Sequence, residues 1–258
     1  MENILKVDKI EKYYGSRSSL TKAIDNLSFE VDKGEFVSVI GSNGSGKTTM
    51  LNIVSGDIAP QGGEVYIDGE NITSQKNYKR SKKIARVFQN PAMGTCPSMT
   101  VFENLSIFDN KLKPYNLTAG LNKNRKDFYK SQLEILNMGL EDRLNIKAGS
   151  LSGGQRQALA LVMATLVKPD LLLLDEHTAA LDPKSSDIVM KLTDRIIREK
   201  GITTLMVTHN LKYALEYSDR FILMHEGKIA VEKKGEEKKQ LSTDDIMSIF
   251  NKLQIIGE

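Results

Sequence analysis

Apolar residues fall in two rhythms along this chain. Phe36-Val37-Ser38-Val39-Ile40, Ile84-Ala85-Arg86-Val87-Phe88 and Thr203-Thr204-Leu205-Met206-Val207 are short apolar runs that read as strands. Leu171-Leu172-Leu173-Leu174 is continuous, the pattern of a strand buried on both faces of a parallel sheet. Near the start, Ile4–Lys12 reads as a strand ending in Tyr13-Tyr14-Gly15. The loop Ser16-Arg17-Ser18-Ser19 leads to a second strand, about Ala23–Val31, with Ile24, Leu27, Phe29 and Val31 as its apolar positions. Gly63–Gly69 alternates and ends in a turn. Between Val101 and Asn145 the rhythm becomes helical, notably over Arg125–Met138, broken by polar loops such as Lys113-Pro114-Tyr115-Asn116. Helices are also expected over Ala158–Val167, Lys184–Lys200 and Leu211–Ser218. Phe221–Met224 and Lys228–Glu232 form a hairpin through Glu226-Gly227. Ser242-Thr243-Asp244-Asp245 caps a last amphipathic helix carrying Ile246, Ile249, Phe250 and Leu253. The pattern predicts an α/β fold: a parallel-sheet core, two strands near the N-terminus and an inserted helical subdomain.

Composition narrows the class. Of 258 residues 40% are hydrophobic and 27% charged, ordinary for a globular protein. A net charge of +3 is too small to argue for nucleic acid. The basic stretch Lys76–Arg86 has few aromatics interleaved and reads as a solvated helical face, and Lys233–Gln240 as a solvated charge run. Cys96 is the only cysteine, so no disulfide framework is expected, consistent with a reducing cytoplasm. The start carries acidic residues and does not read as a signal peptide. No stretch approaches the ~18–20 apolar residues of a membrane helix. A membrane role is therefore expected to run through a partner.

The strand at Phe36–Ile40 runs into Gly41-Ser42-Asn43-Gly44-Ser45-Gly46-Lys47-Thr48-Thr49, and a helical run that Gly56 can end follows. This is the G-x-x-x-x-G-K-[ST] P-loop pattern in its proper context. Its glycines let successive backbone N–H groups converge on a phosphate at a helix N-terminus. Lys47 is expected to reach the β- and γ-phosphates, Thr48 to ligate Mg²⁺ and Thr49 to add a phosphate contact. A plain Gly/Ser-rich connecting loop is the alternative, disfavoured by the strand, the helix and the Lys-Thr pair in register. Downstream, Leu151-Ser152-Gly153-Gly154-Gln155 lies between the P-loop and the acidic strand end Asp175-Glu176. Ser152 can cap the helix that follows, leaving accessible N–H groups and a second anion site.

With Gln89, Asp175-Glu176, Ala180-Leu181-Asp182 and His209 in that order, the chain resembles an ATP-binding cassette (ABC) ATPase of the bacterial importer type from about Leu5 to Glu232. The resemblance implies one P-loop NTPase domain. Residues 1–89 and 168–241 would form a RecA-like core with its antiparallel β region, 90–167 the helical subdomain and 242–258 a C-terminal amphipathic helix. It implies that Asp175 holds Mg²⁺ opposite Thr48, and that Glu176 is the general base toward water. Gln89 would touch metal or water, and the loop Asn90–Thr100 after it would sense a membrane partner. His209 would contact the γ-phosphate. Tyr14 would stack on adenine, with Tyr13 as the alternative. Ser152, Gly153, Gly154 and Gln155 would face the nucleotide held by a second copy of the chain, with Asp182 at that interface. Glu176 as a local charge balance and Gln89 as a strand cap are the structural alternatives; His177 and His225 read as structural.

One position departs from the pattern. Where the family usually has proline after the catalytic glutamate, this chain has His177. Histidine can satisfy the same turn, so activity is expected to survive. The variant resembles a subset of bacterial import ATPases, some linked with aromatic amino acids such as tryptophan. The implied function is the ATP-hydrolysing subunit of a transporter for an amino acid or other small solute, at the cytoplasmic face of the membrane. Its implied partners are a separate integral-membrane permease, a second copy of itself and an extracellular substrate-binding protein, with no nucleic acid. A non-transport cassette acting on ribosomes or DNA is the alternative. Such relatives usually carry two cassettes, coiled coils or zinc modules, which the sequence lacks. A non-catalytic regulatory subunit is opposed by Lys47, Asp175, Glu176 and His209.

Overall fold

A computed structural model of the chain describes residues 2–16, 19–113 and 120–256. Arg17 and Ser18 of the first expected loop, and Pro114, Tyr115 and Asn116 of the later one, lie outside the described residues. Two sheets organise the fold. Strands β1 (Asn3–Ser16) and β2 (Ser19–Asp32) pair antiparallel along their length, and β4 (Gly62–Ile67) and β5 (Glu70–Asn71) extend them in the order β2-β1-β4-β5. The second sheet has six strands in the order β10-β9-β3-β8-β7-β6. These are β3 (Phe36–Gly41), β6 (Ile84–Val87), β7 (Leu171–Asp175), β8 (Thr203–Val207), β9 (Arg220–His225) and β10 (Lys228–Lys234). All pair in parallel except β10, which returns antiparallel on β9.

The apolar runs become intelligible from the faces they serve. Leu171 and Leu173 of β7 pack with the antiparallel sheet and with helix α1 (Lys47–Ser55). Leu172 and Leu174 point the other way, into a core built with α3 (Val101–Asp109), α4 (Lys126–Glu134), α5 (Gly153–Leu166) and α6 (Pro183–Lys200). A strand with a core on each face has no solvent side, so its sequence need not alternate. A third cluster joins Ile40, Phe221 and Leu223 of the sheet to Ala214 of α7 (Leu211–Tyr217) and Ile246 of α9 (Thr243–Ile256); Ile249, Phe250 and Leu253 of α9 pack against it. Helix α9 is opened by a reciprocal cap: Ser242 Oγ accepts from the Asp245 N–H, and the Asp245 carboxylate accepts from the Ser242 N–H.

Several expectations change on folding. Lys76–Arg86 is not a solvated helix. Only one turn, α2 (Asn77–Arg80), is helical, and Arg80 is 2% exposed. Its guanidinium donates to the Ile53 and Val54 carbonyls at the end of α1 and to the Thr73 and Gln75 carbonyls, satisfying groups that a helix end leaves orphaned. Arg86 lies in β6. Lys233–Gln240 closes β10 and forms α8 (Gly235–Lys239); it is largely the exposed charge run expected, except that buried Lys238 donates to the Leu215 and Ser218 carbonyls at the end of α7. The helix expected over Arg125–Met138 stops at Glu134, because Asn137 and Gly139 both turn left-handed. β1 and β2 run further toward each other than expected, since each supplies the other's hydrogen bonds as far as Ser16 and Ser19.

Arg80 makes the first prediction. Arg80→Ala strands carbonyls at the end of α1 and empties a buried site. It should lower the unfolding free energy by about 3 kcal/mol, read by urea titration of circular dichroism.

Candidate nucleotide site

In open α/β sheets, ligands gather outside the carboxyl ends of parallel strands. Here β3, β7, β8 and β6 end on one side. From the first three emerge the P-loop, Asp175-Glu176 and Thr208-His209. The backbone ladder continues past the strands: Glu176 N–H donates to Val207 O at 2.9 Å, and Thr208 N–H to Val39 O at 3.1 Å. This holds the three exits at one level.

The P-loop wraps the start of α1. Gly44 has φ +81° and Gly46 φ +99°. A Cβ on Gly46 would stand 2.5 Å from the Ala23 carbonyl oxygen, so both its torsion and its closeness to β2 require glycine. The turn between β9 and β10 also fastens the loop: Gly227 N–H donates to Ser45 O at 3.1 Å and Gly227 O accepts from Asp25 N–H at 3.0 Å. Lys47 is buried, its Nζ donating to the Gly41 and Ser42 carbonyls at 2.7 and 2.8 Å. Burial pushes its ammonium below the ordinary lysine range, and the Glu176 carboxylate opposes that shift. The lysine is therefore an enclosed cation at the mouth of an N–H cradle. Asn43, Gly44 and Thr48 are exposed there, Ser42, Gly46 and Thr49 half-buried and Ser45 buried.

Glu176 leaves β7 with φ +45°, left-handed and rare for a side chain other than glycine. Strain of this kind, of order 1–3 kcal/mol, gathers at functional sites. The turn brings Glu176 Oε2 to 3.5 Å from His209 Nδ1. His209 is exposed. His177, by contrast, is 2% exposed and shares a 3.1 Å hydrogen bond between its Nε2 and Thr193 Oγ1 of α6. Burial lowers its pKa to about 4, so it stays neutral, a packed side chain locking the turn from beneath.

Asp175 ends β7 half-buried, its Oδ2 accepting from Arg86 Nη2 at 2.5 Å. Among the described residues no three His, Cys, Asp or Glu gather as a metal cage. One carboxylate and the Thr48 hydroxyl beside a phosphate cradle make a donor set that suits Mg²⁺ carried by nucleotide phosphates and water. Exposed Gln89 follows β6 at the same edge. Tyr14 is 45% exposed, whereas Tyr13 is half-buried with its hydroxyl donating to Glu11 at 3.2 Å.

The second anion motif stands at the start of α5. Ser152 Oγ accepts from the Gln155 N–H and Gln155 Oε1 from the Ser152 N–H, both at 3.2 Å, a reciprocal capping box. Ser152 and Gly153 are exposed, Gly154 is buried and Gln155 half-buried. Asp182 caps α6 by accepting from the Ser185 N–H at 3.0 Å, and those Ser185 bonds hold its carboxyl below the usual range. Two residues escaped the sequence reading. Gln157 of α5 donates to Phe88 O at 3.1 Å, tying the helix to the segment just before Gln89. Arg86 reaches Asp175; a lone charge inside an apolar strand was its signal. Arg86 and Phe88 also line a cavity of about 1030 Å³ between α2, β6 and α3, distinct from the P-loop.

A P-loop at the carboxyl edge of a parallel sheet, with an acidic strand end beside it, defines a P-loop nucleotide-binding cassette. The profile of the family described as ABC transporter matches residues 24–179. The chain is 50% identical to a tyrosine transport ATP-binding protein of Clostridioides difficile (strain R20291), over 92% of this chain and 93% of that protein. It is 32% identical to the xylose/arabinose import ATP-binding protein XylG of Sulfolobus acidocaldarius, over 97% and 96%. A dimeric structure of a post-hydrolysis state of the ATP-binding cassette MJ0796, bound to ADP and Pi, superposes with a TM-score of 0.75 at 31% identity, covering 90% of this chain and 98% of that one. The chain belongs to the ABC transporter family and is an ATP-binding, ATP-hydrolysing subunit of that class.

His177 gives a pH signature. Its folded pKa lies below the ordinary histidine value of 6.5, so the unfolded chain takes up the proton first as pH falls. Its contribution is complete above pH 6.5 and is lost down to about pH 4. Wild type should lose about 3 kcal/mol more than His177→Asn across that window. Urea titrations of both proteins at stepped pH measure the difference.

Proposed function

We propose that the chain is the nucleotide-binding subunit of a bacterial importer, hydrolysing Mg-ATP as a two-fold dimer against a separate permease. The observation that carries this reading is the meeting of Lys47, Asp175, Glu176 and His209 at one sheet edge while Ser152 and Gly153 at the start of α5 are left exposed. One chain then holds a nucleotide with its P-loop, and the exposed start of α5 from a second copy covers it. The dimeric MJ0796 cassette supports that arrangement.

In this reading the Gly44–Thr49 N–H groups and Lys47 bind the β- and γ-phosphates, Lys47 giving up its bonds to Gly41 O and Ser42 O. Mg²⁺ supplies charge neutralisation when bound, and Thr48, Asp175 and Gln89 are the residues that would hold it. Glu176 takes the proton of the attacking water, and His209, beside it, contacts the γ-phosphate. Tyr14 stacks on the adenine, its exposure favouring it over Tyr13. The units 1–89 with 168–241, 90–167 and 242–258 serve as catalytic core, signalling helical part and C-terminal cover. Gln89 and the loop Asn90–Thr100 report to the permease. No described helix is long and apolar enough to cross a membrane. In this reading the permease provides the passage and the chain works at its cytoplasmic face. Names of relatives, a tyrosine transport protein and a xylose/arabinose import protein among them, support import of an amino acid or another small solute. In this reading a substrate-binding protein delivers the solute.

Glu176→Gln should bind ATP, hydrolyse it about 10²–10⁴-fold more slowly and accumulate as an ATP-bound dimer on size exclusion. Hydrolysis at the wild-type rate would show that the base lies elsewhere. Replacing Ser152 or Gly153 should reduce hydrolysis more than nucleotide affinity, because these groups act only from the partner copy. Equal loss of both would count against the shared site. Co-purification with ribosomes or DNA and without an integral-membrane protein would overturn the transport assignment.

A further inference from the structure

Arg86 is the one charged residue of β6 (Ile84-Ala85-Arg86-Val87), and its side chain is only 11% exposed. The guanidinium is divided between two carboxylates. Nη2 donates to Asp175 Oδ2 at 2.5 Å; Nη1 donates to Asp57 Oδ2 and to Asn52 Oδ1, both at 2.8 Å. It lies over the Phe88 ring, 4.9 Å from the centroid, and its Nε is buried without a hydrogen-bond partner. Asn52 belongs to α1, the helix that the P-loop opens, and Asp57 follows directly after that helix. Arg86 therefore fastens the end of the P-loop helix to the carboxylate at the tip of β7.

That placement puts a fixed cation on the group the nucleotide reading gives to a divalent metal. A guanidinium and a dication on one carboxylate repel, and a half-buried site screens them poorly. Asp57 is the more exposed of the two acids, 37% against 14%, and offers Arg86 a second seat. We propose that Arg86 is a positioning residue acting through Asp175. It competes with the divalent metal for that carboxylate and so sets how strongly nucleotide binding depends on metal. This rests on the assignment of Asp175 to the metal. Without metal, Arg86 supplies positive charge beside the phosphates. With metal, it moves its charge toward Asp57.

The test is the ratio of affinity for a fluorescent ATP analogue in Mg²⁺ to that in EDTA, measured by titration on the full chain. Arg86→Gln keeps an amide N–H for Asp175 but loses the charge, and should raise the ratio about tenfold. Arg86→Lys keeps a charge and should stay near wild type. Asp57→Asn leaves Arg86 in place but removes its second seat, and should lower the ratio about threefold. A ratio that is unchanged or lower in Arg86→Gln overturns the proposal, as does Arg86→Lys matching Arg86→Gln, which would mean shape and not charge. Where a thermal melt shows Arg86→Gln unfolded, Asp57→Asn decides: an unchanged or raised ratio overturns the proposal. A wild type that binds no nucleotide overturns the underlying reading instead.

Discussion

The site depends on the register of three parallel strands. Val39 of β3 lies opposite Val207 of β8, and Val207 lies opposite Asp175 of β7. Val207, shared by both pairs, thus sets the level at which the P-loop, Glu176 and His209 leave the sheet. A slip of one residue in β7 would set leucine on leucine along Leu171–Leu174, so its cost falls at the strand ends, where Asp170 or Asp175 would be drawn into a buried position. It would also displace Asp175 from the edge. The charged residues that bound the apolar run thus hold the register that aligns the chemistry.

Groups of opposite charge interleave at that edge. Lys47 and Arg86 alternate with Asp175 and Glu176, and each cation is tied to a partner within the chain: Lys47 to its own loop, Arg86 to acids on both sides. A phosphate ligand has to exchange with these bonds. The exposed start of α5 is closed by its own Ser152–Gln155 capping box, and the body of the helix is wired to the same region through Gln157 and the Phe88 carbonyl. The helix that opens at Ser152 and the strand that leads to Gln89 are thus joined by a direct hydrogen bond.

Much of this was legible in the sequence because it is local. A capping box needs three residues, as at Ser152 and Gln155; the P-loop needs nine in a row; a doubly buried strand announces itself in Leu171–Leu174. What escaped is long-range. Arg80, Lys238 and Arg86 look like solvated charges until the fold brings them the carbonyls of Ile53, the carbonyl of Leu215 and the carboxylate of Asp175. Nothing near them in the chain marks those partners. The early end of α4 was missed for another reason: Leu133, Leu136 and Met138 carry the apolar pattern past Glu134, while Asn137 and Gly139 turn left-handed. Tyr14 leads Tyr13 in the sequence by its place next to Gly15, and the fold adds the difference in exposure.

The fastening of the P-loop by the β9–β10 turn has a consequence in time. Gly227 holds Ser45, Met224 lies against Gly41, and β3 finds both its strand neighbours, β8 and β9, near the other end of the chain. The phosphate cradle is thus among the first stretches to be synthesised and among the last to acquire its shape. At ribosomal speeds that gap is on the order of ten seconds or more. Throughout it the apolar β3 strand is exposed without its partners, a client for chaperones. Competence to hold ATP arrives only when the far end of the chain has folded back, so a truncated product stopping short of β9 would carry the motif without the cradle.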